Sequence, residues 1–404
     1  MRSRITFASV SAALVAVLGC GADTRSPSEP SSIAGGADGA VGAAASVPLD
    51  FEQVSAGGFH SCGVAIDGKA WCWGANDKGQ LGTGTVTPSA GSAVPVAVAG
   101  GLRFRHVSAG YEHTCGLTTD DIVYCWGFNY WGQLGDGTMG EDHATRGAPA
   151  AVAGSRRFRL VRAGWSHTCA ITTSADAYCW GENLYGQAGD GGTALGRPRP
   201  VAVLGGLKWR QLAGGAEHTC GVSKTDKLYC WGLNDHAQLG DGTKKNRVTP
   251  VVVAGGRTYR QVDAGTYTSC AVTTGNVAFC WGFNGQGEIG DGTTTLRLKP
   301  RAVAGHFTFD HVNVGGVHAC GVTTAGVGLC WGDGGSGALG YGGTSGRTSP
   351  VAIGGGLVLR QINAGLAHTC AVTTADKAYC WGANGRLGDG ANVMRVLPSP
   401  VAGP

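Results

Sequence analysis

Seven times along the chain two cysteines recur as Cys-x9-Cys-Trp-Gly, with the second always ten positions after the first. The pairs are Cys62 with Cys72, Cys115 with Cys125, Cys169 with Cys179, Cys220 with Cys230, Cys270 with Cys280, Cys320 with Cys330, and Cys370 with Cys380. From one Cys-Trp to the next the steps are 53, 54, 51, 50, 50 and 50 residues. A period of that size marks an array of small supersecondary units, each of which buries its apolar face only by stacking on its neighbours. The array therefore constrains the fold more than any single motif does.

One unit is readable from 250 to 294. Pro250–Ala254, Tyr259–Ala264, Ser269–Thr273 and Val277–Trp281 are short and β-branched or alternating, and Gly255-Gly256, Gly265 and Gly282 separate them. Four short strands in up-and-down order make one propeller blade. The chain has 73 Gly in 404 residues, only 14% charged residues and no stretch of sustained helical periodicity. The expected fold is all-β, a seven-bladed β-propeller of four-stranded blades over 50–404. The first unit begins at Phe51 without the Pro-Val-x-Val strand that opens the others, and the chain ends in Pro398-Ser-Pro-Val-Ala-Gly-Pro404. This predicts closure by pairing of the C-terminal strand with the N-terminal blade.

Within the first hairpin, Ile66-Asp67-Gly68 suits a three-residue loop with Gly in the left-handed position. Counting outward pairs Ala65 with Lys69, Val64 with Ala70, Gly63 with Trp71 and Cys62 with Cys72. Facing cysteines in a non-hydrogen-bonded pair lie close enough to bridge. A His stands two residues before the first Cys in six repeats, at His60, His113, His167, His218, His318 and His368. His-x-Cys-x9-Cys offers three soft ligands, but zinc knuckles bring theirs from tight turns, and paired strands favour disulfides in an oxidising compartment. Neither metal nor cofactor is expected. The histidines are expected to bond backbone in the adjoining turn, with Thr268 in that place in the fifth repeat.

Residues 1–20 start Met-Arg-Ser-Arg, continue with an apolar run from Ile5 to Leu18 and end Gly19-Cys20. This is an export signal, and its end resembles a bacterial lipoprotein signal in which Cys20 is lipidated; an ordinary signal peptide is the alternative. Of the 15 cysteines, fourteen belong to the repeat pairs, so Cys20 is the one left over. Residues 21–49 are Gly, Ala, Ser and Pro with few large apolar side chains, the composition of a flexible tether. Asp is absent from position 21, where it would mark inner-membrane retention. The expected location is the cell envelope, lipid-anchored in the outer membrane.

His-Thr-Cys-Ala-Val-Thr-Thr-x4-Tyr-Cys-Trp-Gly-x-Asn-x-x-Gly-Gln-Leu-Gly-Asp-Gly-Thr resembles the regulator-of-chromosome-condensation (RCC1-type) repeat, over nearly all of 51–404. The resemblance implies a seven-bladed propeller. The kelch propeller has a similar repeat length, but its Gly-Gly signature lies differently. The nucleotide-exchange and chromatin-binding activities of the founding member are not carried over: the chain is read as exported, lacks a wedge-like insertion and has a formal charge of only +4. Basic runs such as Arg156-Arg157-Phe158-Arg159 read as solvated loops, so no nucleic acid is expected. Secreted bacterial members of the family, including a β-lactamase-inhibitory type, present one face to a target.

A residue present in every repeat serves the fold first, and a residue peculiar to one or two repeats is free to serve function. The first rule covers the seven Cys-Trp tryptophans and the Asp-Gly-Thr turns at Asp136, Asp241 and Asp291, where turn chemistry outweighs calcium. Under the second, Tyr111, Glu112, Phe128, Tyr130 and Trp131 of repeat two and Trp165, Glu182 and Tyr185 of repeat three form a candidate binding face for a protein or glycan. Packing within their own blades is the alternative. The expected function is a non-catalytic, tethered, monomeric binding protein. The rival is an envelope lyase or glycosidase using Glu112, Glu182 and Glu217 at the central channel.

Overall fold

The computed structural model describes residues 49–86 and 91–404. The lipidation site Cys20, the 1–20 signal and all but the last residue of the 21–49 tether lie outside the described residues. Each Cys-x9-Cys hairpin forms the middle two strands of a four-stranded antiparallel sheet whose strands follow chain order. There are seven such sheets among the described residues, so the expected seven-bladed propeller is the fold. The blades run 51–97, 104–151, 158–202, 209–252, 259–302, 309–352 and 359–400. In blade 1 the inner strand is Phe51–Ala56, the second His60–Ala65, the third Ala70–Gly74 and the outer Ser92–Ala97.

The hairpin register follows the turn. Val64 faces Ala70, Gly63 faces Trp71 and Cys62 faces Cys72. Every expected cysteine pair is a disulfide. Cys62 is bonded to Cys72, Cys115 to Cys125, Cys169 to Cys179 and Cys220 to Cys230, with Cα atoms 4.0 to 4.1 Å apart. Cys270 to Cys280, Cys320 to Cys330 and Cys370 to Cys380 complete the set at the same spacing. The third turn residue takes a positive φ, at Gly68 (80°) and equally at Asn276 (64°).

The expected composite blade does not form. The Pro-Val-x-Val strand is the outer strand of the preceding blade: Val96 faces Cys72, and Val251 faces Cys230. Blade 1 therefore has its own outer strand, and Arg395–Pro400 pairs with the third strand of blade 7, Pro400 facing Tyr379. The short link from Val252 to Tyr259 crosses between blades, whereas the long polar loop from Gly232 to Arg247 stays within one.

Closure instead repeats what every other seam does. At the last seam the buried Cys370, Val372, Ala378, Cys380, Leu387 and Val401 of blade 7 pack on Phe51, Val54 and Trp73 of blade 1. The first seam sets Cys62, Val64, Cys72 and Leu81 on Phe104, Val107 and Trp126. Inner strands of neighbouring blades do not pair, so side chains serve their backbone groups, as buried amides require. Gln361 bonds Val54 in blade 1, Arg360 donates to the carbonyls of Phe51 and Glu52, and Asn363 accepts from the Ala56 N–H. Gln53, Gln211 and Gln261 make the same bonds to Val107, Val262 and Val312.

A second repeating network lies deeper in the seam. His113 Nε2 meets Thr168 Oγ1 of the next blade at 2.9 Å, Thr168 donates to the Gln133 carbonyl at 2.9 Å, and the Trp180 indole donates to that same carbonyl at 2.9 Å. Because Thr168 spends its proton on Gln133, the imidazole must donate through Nε2. The histidines thus bond a hydroxyl across the seam, not backbone in their own turn. Six seams carry this arrangement; at the seam of blades 5 and 6, Thr268 replaces the His and donates to the Phe283 carbonyl in its own blade.

Candidate binding face and central channel

Loops after the inner strand and after the third strand emerge together, and both are shaped by glycines with little room beside them. Gly82, at φ +70°, would place a Cβ 2.7 Å from Trp126 Nε1 of the next blade, so the Leu-Gly segment lies directly on that indole. The Asp-Gly-Thr turns are ordinary turns: Asp241 Oδ1 accepts from Thr243 N–H and Oγ1, and Oδ2 pairs with Arg247 at 2.8 Å. Asp136 and Asp291 pair in the same way with Arg146 and Arg297. Among the described residues no three acidic, His or Cys side chains converge as a metal site.

This scaffold brings part of the expected face together. Tyr111 and Trp165, in equivalent loops of blades 2 and 3, stack with centroids 4.6 Å apart. Phe59 of blade 1 extends the row edge-on to Tyr111 at 5.0 Å, and the Arg386 guanidinium of blade 7 lies 5.0 Å over the Phe59 ring. Phe128, Tyr130 and Trp131 form a separate group within the third-to-outer loop of blade 2, with Tyr130 and Trp131 edge to face at 4.8 Å. All these rings are half-buried, so each offers an edge or face to solvent. Phe59 and Arg386 lie outside the expected set, because Phe59 sits one loop position away from its partners, where blades 2 and 4 carry Glu112 and Glu217.

Acidic groups occupy the next sector. Glu182 is 8% exposed, and burial first, then the neighbouring Glu217, lifts its carboxyl to about 7. Burial also raises Glu217, with Asp235 adding to it and His236 opposing. Tyr185 is raised by Glu217 before anything else. His236 stacks on Tyr267 at 4.5 Å and meets Phe283 at 5.6 Å, a second aromatic group that single-repeat inspection does not reveal. Glu112 stands apart in blade 2, raised mainly by its own burial.

The central channel is a cavity of about 280 Å³ walled by the seven inner strands, with Tyr111 and Trp165 among the residues at its mouth. Glu112, Glu182 and Glu217 do not line it. Among the described residues its one lining carboxyl is Asp263, raised to about 7 by burial against the pull of the Val314 N–H and of Arg162. Arg162 reaches solvent only partly; protein encloses the guanidinium, and that burial lowers its pKa. A two-carboxylate hydrolase centre is therefore not assembled in the channel.

The RCC1-like domain model matches residues 16–319, and the regulator of chromosome condensation (RCC1) repeat model matches 359–386. The ultraviolet-B receptor UVR8 of Arabidopsis thaliana is 34% identical over 199 residues, 48% of this chain and 44% of that protein. The probable E3 ubiquitin-protein ligase HERC3 of Homo sapiens is 34% identical over 194 residues, 47% of this chain and 18% of that protein. The chain thus matches less than half the length of these curated relatives. Human WBSCR16 superposes with a TM-score of 0.74 at 20% identity, covering 82% of this chain and 88% of that one. Yeast RCC1 (Prp20), solved with Kap60 bound, gives 0.72 at 17%, covering 87% and 85%. Taken with its seven Cys-Trp-Gly blades, the match over most of its length shows that the chain belongs to the RCC1-like domain family.

Proposed function

We propose that this protein is an exported, envelope-tethered propeller that binds a protein partner through the loop face carrying Tyr111, Trp165 and Phe59, without catalysis. The observation that carries the reading is the continuous aromatic row across blades 1 to 3, half-buried and bordered by Arg386 on one side. Half-exposed aromatics held by their neighbours lose little conformational freedom on binding, which suits them as anchors. Glu182, Tyr185 and Glu217 in the adjoining sector would accept a basic side chain of the partner, whose charge would draw the two carboxyls back to their ionised form. Glu112, Phe128, Tyr130 and Trp131 would form the rim. Related propellers serve as precedent: yeast RCC1 is solved with Kap60, and its binding to Gsp1p and histones has been characterised.

Seven buried disulfides are the chemistry of an exported chain, and among the described residues no helix is long and apolar enough to cross a membrane. Lipidation of Cys20, with 21–49 as a spacer and the outer membrane as the location, completes the reading. Its test is capture of partners from the producing cell's envelope by the wild-type chain and by the double variant Tyr111→Ala with Trp165→Ala. The proposal expects a specific partner lost in the variant at an unchanged melting temperature. Retention of every captured protein by the variant would remove the loop face as the site. For the anchor, Cys20→Ala should move the protein from the membrane fraction to the soluble one.

A further inference from the structure

Near their ends five of the seven inner strands carry a residue that latches the next blade. Ser55 Oγ accepts from the Ala109 N–H, Ser108 Oγ from Ala163, Asp263 Oδ2 from Val314, Asn313 Oδ1 from Ala364 and Asn363 Oδ1 from Ala56. Every one of these bonds consumes an acceptor. An Asn that must present Oδ1 to a strand turns its Nδ2 the other way, and a Ser accepting through Oγ keeps its proton free. Among the described residues the Asn313 and Asn363 Nδ2 groups and the two Ser hydroxyl protons have no protein partner. The latch therefore leaves a layer of unused donors facing the channel.

Blades 3 and 4 break the pattern: blade 4 has the buried, apolar Ala213 at this position, and blade 3 places Arg162 in the layer. Its Nη1 donates to His106 Nε2 and to the Val161 carbonyl. Nη2 and Nε make no protein hydrogen bond, and no carboxylate lies within ion-pair distance among the described residues. A guanidinium with free donors beside the N–H and O–H groups of blades 1, 2, 6 and 7 is an arrangement that recognises an oxyanion. The walls belong to seven rigid sheets, so the layer is preorganised.

We propose that the channel binds a small oxyanion, the carboxylate or phosphate group of a small molecule, with Arg162 as charge partner and Ser55, Ser108, Asn313 and Asn363 as donors. The ligand enters through the mouth beside Tyr111 and Trp165. A cavity of about 280 Å³ limits it to a compact molecule. Asp263 is the one group in the layer that opposes an anion while ionised, so removing its charge should tighten binding. The site does not depend on the partner-binding reading above, and it is tested on the isolated full chain.

The test is calorimetric titration of the full chain with inorganic phosphate and, separately, with acetate, at pH 8, where Asp263 is largely ionised, and at constant ionic strength, with sodium chloride as control. The expected result is saturable binding of at least one of the two, and the one that binds assigns the ligand group. Arg162→Met should weaken it by about tenfold or more, the size of one lost charged hydrogen bond. Asn363→Asp keeps the acceptor for the Ala56 N–H while exchanging a donor for a negative charge, so it should weaken binding to a similar extent even where Arg162→Met fails to fold. Asp263→Asn should strengthen it several-fold. Absence of saturable binding with both anions, or wild-type affinity in Asn363→Asp, would overturn the proposal.

Discussion

Gln361 of blade 7 bonds both backbone polar groups of Val54 in blade 1, accepting from its N–H and donating to its carbonyl, each at 3.0 Å. The first and last blades are thus joined without a shared sheet. Side chains of blade 7, with His368 and Arg386 joining Gln361, Arg360 and Asn363, and one buried cluster do the work that a composite blade would otherwise do. Gln361→Ala with Asn363→Ala should speed amide exchange at Val54 and Ala56 while leaving Val107 unchanged, as measured by hydrogen exchange. Equal acceleration at Val107 would mean that the seam does not open on its own.

Removal of residues 398–404 takes part of one outer strand and the buried Val401 from blade 7, but none of the Gln361, Arg360 or Asn363 bonds. The ring should stay closed: the truncated chain is expected to melt lower yet keep wild-type exchange at Val54. A loss of protection at Val54 on truncation would restore the C-terminal strand as the closing element.

All fourteen disulfide cysteines are fully buried, each pair beneath the aromatic residues of the next blade. Cys62 and Cys72 lie beneath Phe104 and Trp126, Cys115 and Cys125 beneath Phe158 and Trp180, and Cys270 and Cys280 beneath Phe309 and Trp331. On the chain-entropy model each bridge stabilises by roughly 2 to 3 kcal/mol. Reductant alone should leave the thiols masked, and reductant with denaturant should release them, as counted with a thiol reagent. Release in native buffer would show that the blades part far below the global transition.

Repetition made the hairpin legible, since a fixed turn and a period of two leave one register for Cys62 and Cys72, and the same register for Cys169 with Cys179 and Cys320 with Cys330. The phase of the blade was not legible. A Pro-Val strand lies closer in sequence to the following inner strand, yet pairs backward, because linker length does not set the order of strands within a sheet. The face was half legible: Tyr111 and Trp165 stand at equivalent positions, whereas Phe59 and Arg386 join them only through packing across the closed ring. Arg162 and Asp263, two blades apart, share a lumen that no single repeat contains.

Burial holds the seam histidines neutral, with pKa about 3 for His60, His113 and His218 and about 4 for His167 and His318; His368 is also well below its usual value. Their folded values lie below the unfolded 6.5, so the unfolded chain binds more protons and stability falls as pH drops from 6.5 towards 4. Each contributes up to about 1.4 kcal/mol per pH unit across that window. Asp263 and Glu182, raised to about 7, act in the opposite sense, gaining stability as pH falls from 7 towards their unfolded values. His106 is lowered in the same way and Glu112, Glu217 and Glu288 are raised with Asp263 and Glu182, so seven histidines stand against five carboxyls and the melting temperature should drop from pH 7 to pH 4.5. His113→Gln, which keeps a donor for Thr168, should reduce the proton uptake on unfolding by about one. A melting temperature at pH 4.5 equal to that at pH 7 would contradict the assignment.

The seam between blades 5 and 6 differs at three positions at once. Thr268 replaces the seam His, Ala319 replaces the Ser or Thr that receives it, and Val314 stands where five of the blades have Ala and blade 4 has Gly214. The three changes compensate one another sterically. Beside Gly110, Gly164 and Gly215 a Cβ would meet the imidazole, whereas beside Gly265 it would meet Val314 Cγ1 at 2.7 Å, so the valine fills the space that the ring leaves. Thr268→His alone should destabilise by about 1 to 3 kcal/mol, because the imidazole is forced into occupied volume and finds no hydroxyl. Thr268→His combined with Val314→Ala and Ala319→Thr should recover most of that loss, with the new Thr donating to the Glu288 carbonyl that already receives Trp331. Denaturant melts of the single, paired and triple variants measure the coupling, which should exceed about 0.5 kcal/mol between positions 268 and 319. Additive effects would show that the His-to-hydroxyl bond is incidental to the seam and that the inner-strand bonds and apolar contacts hold the blades without it.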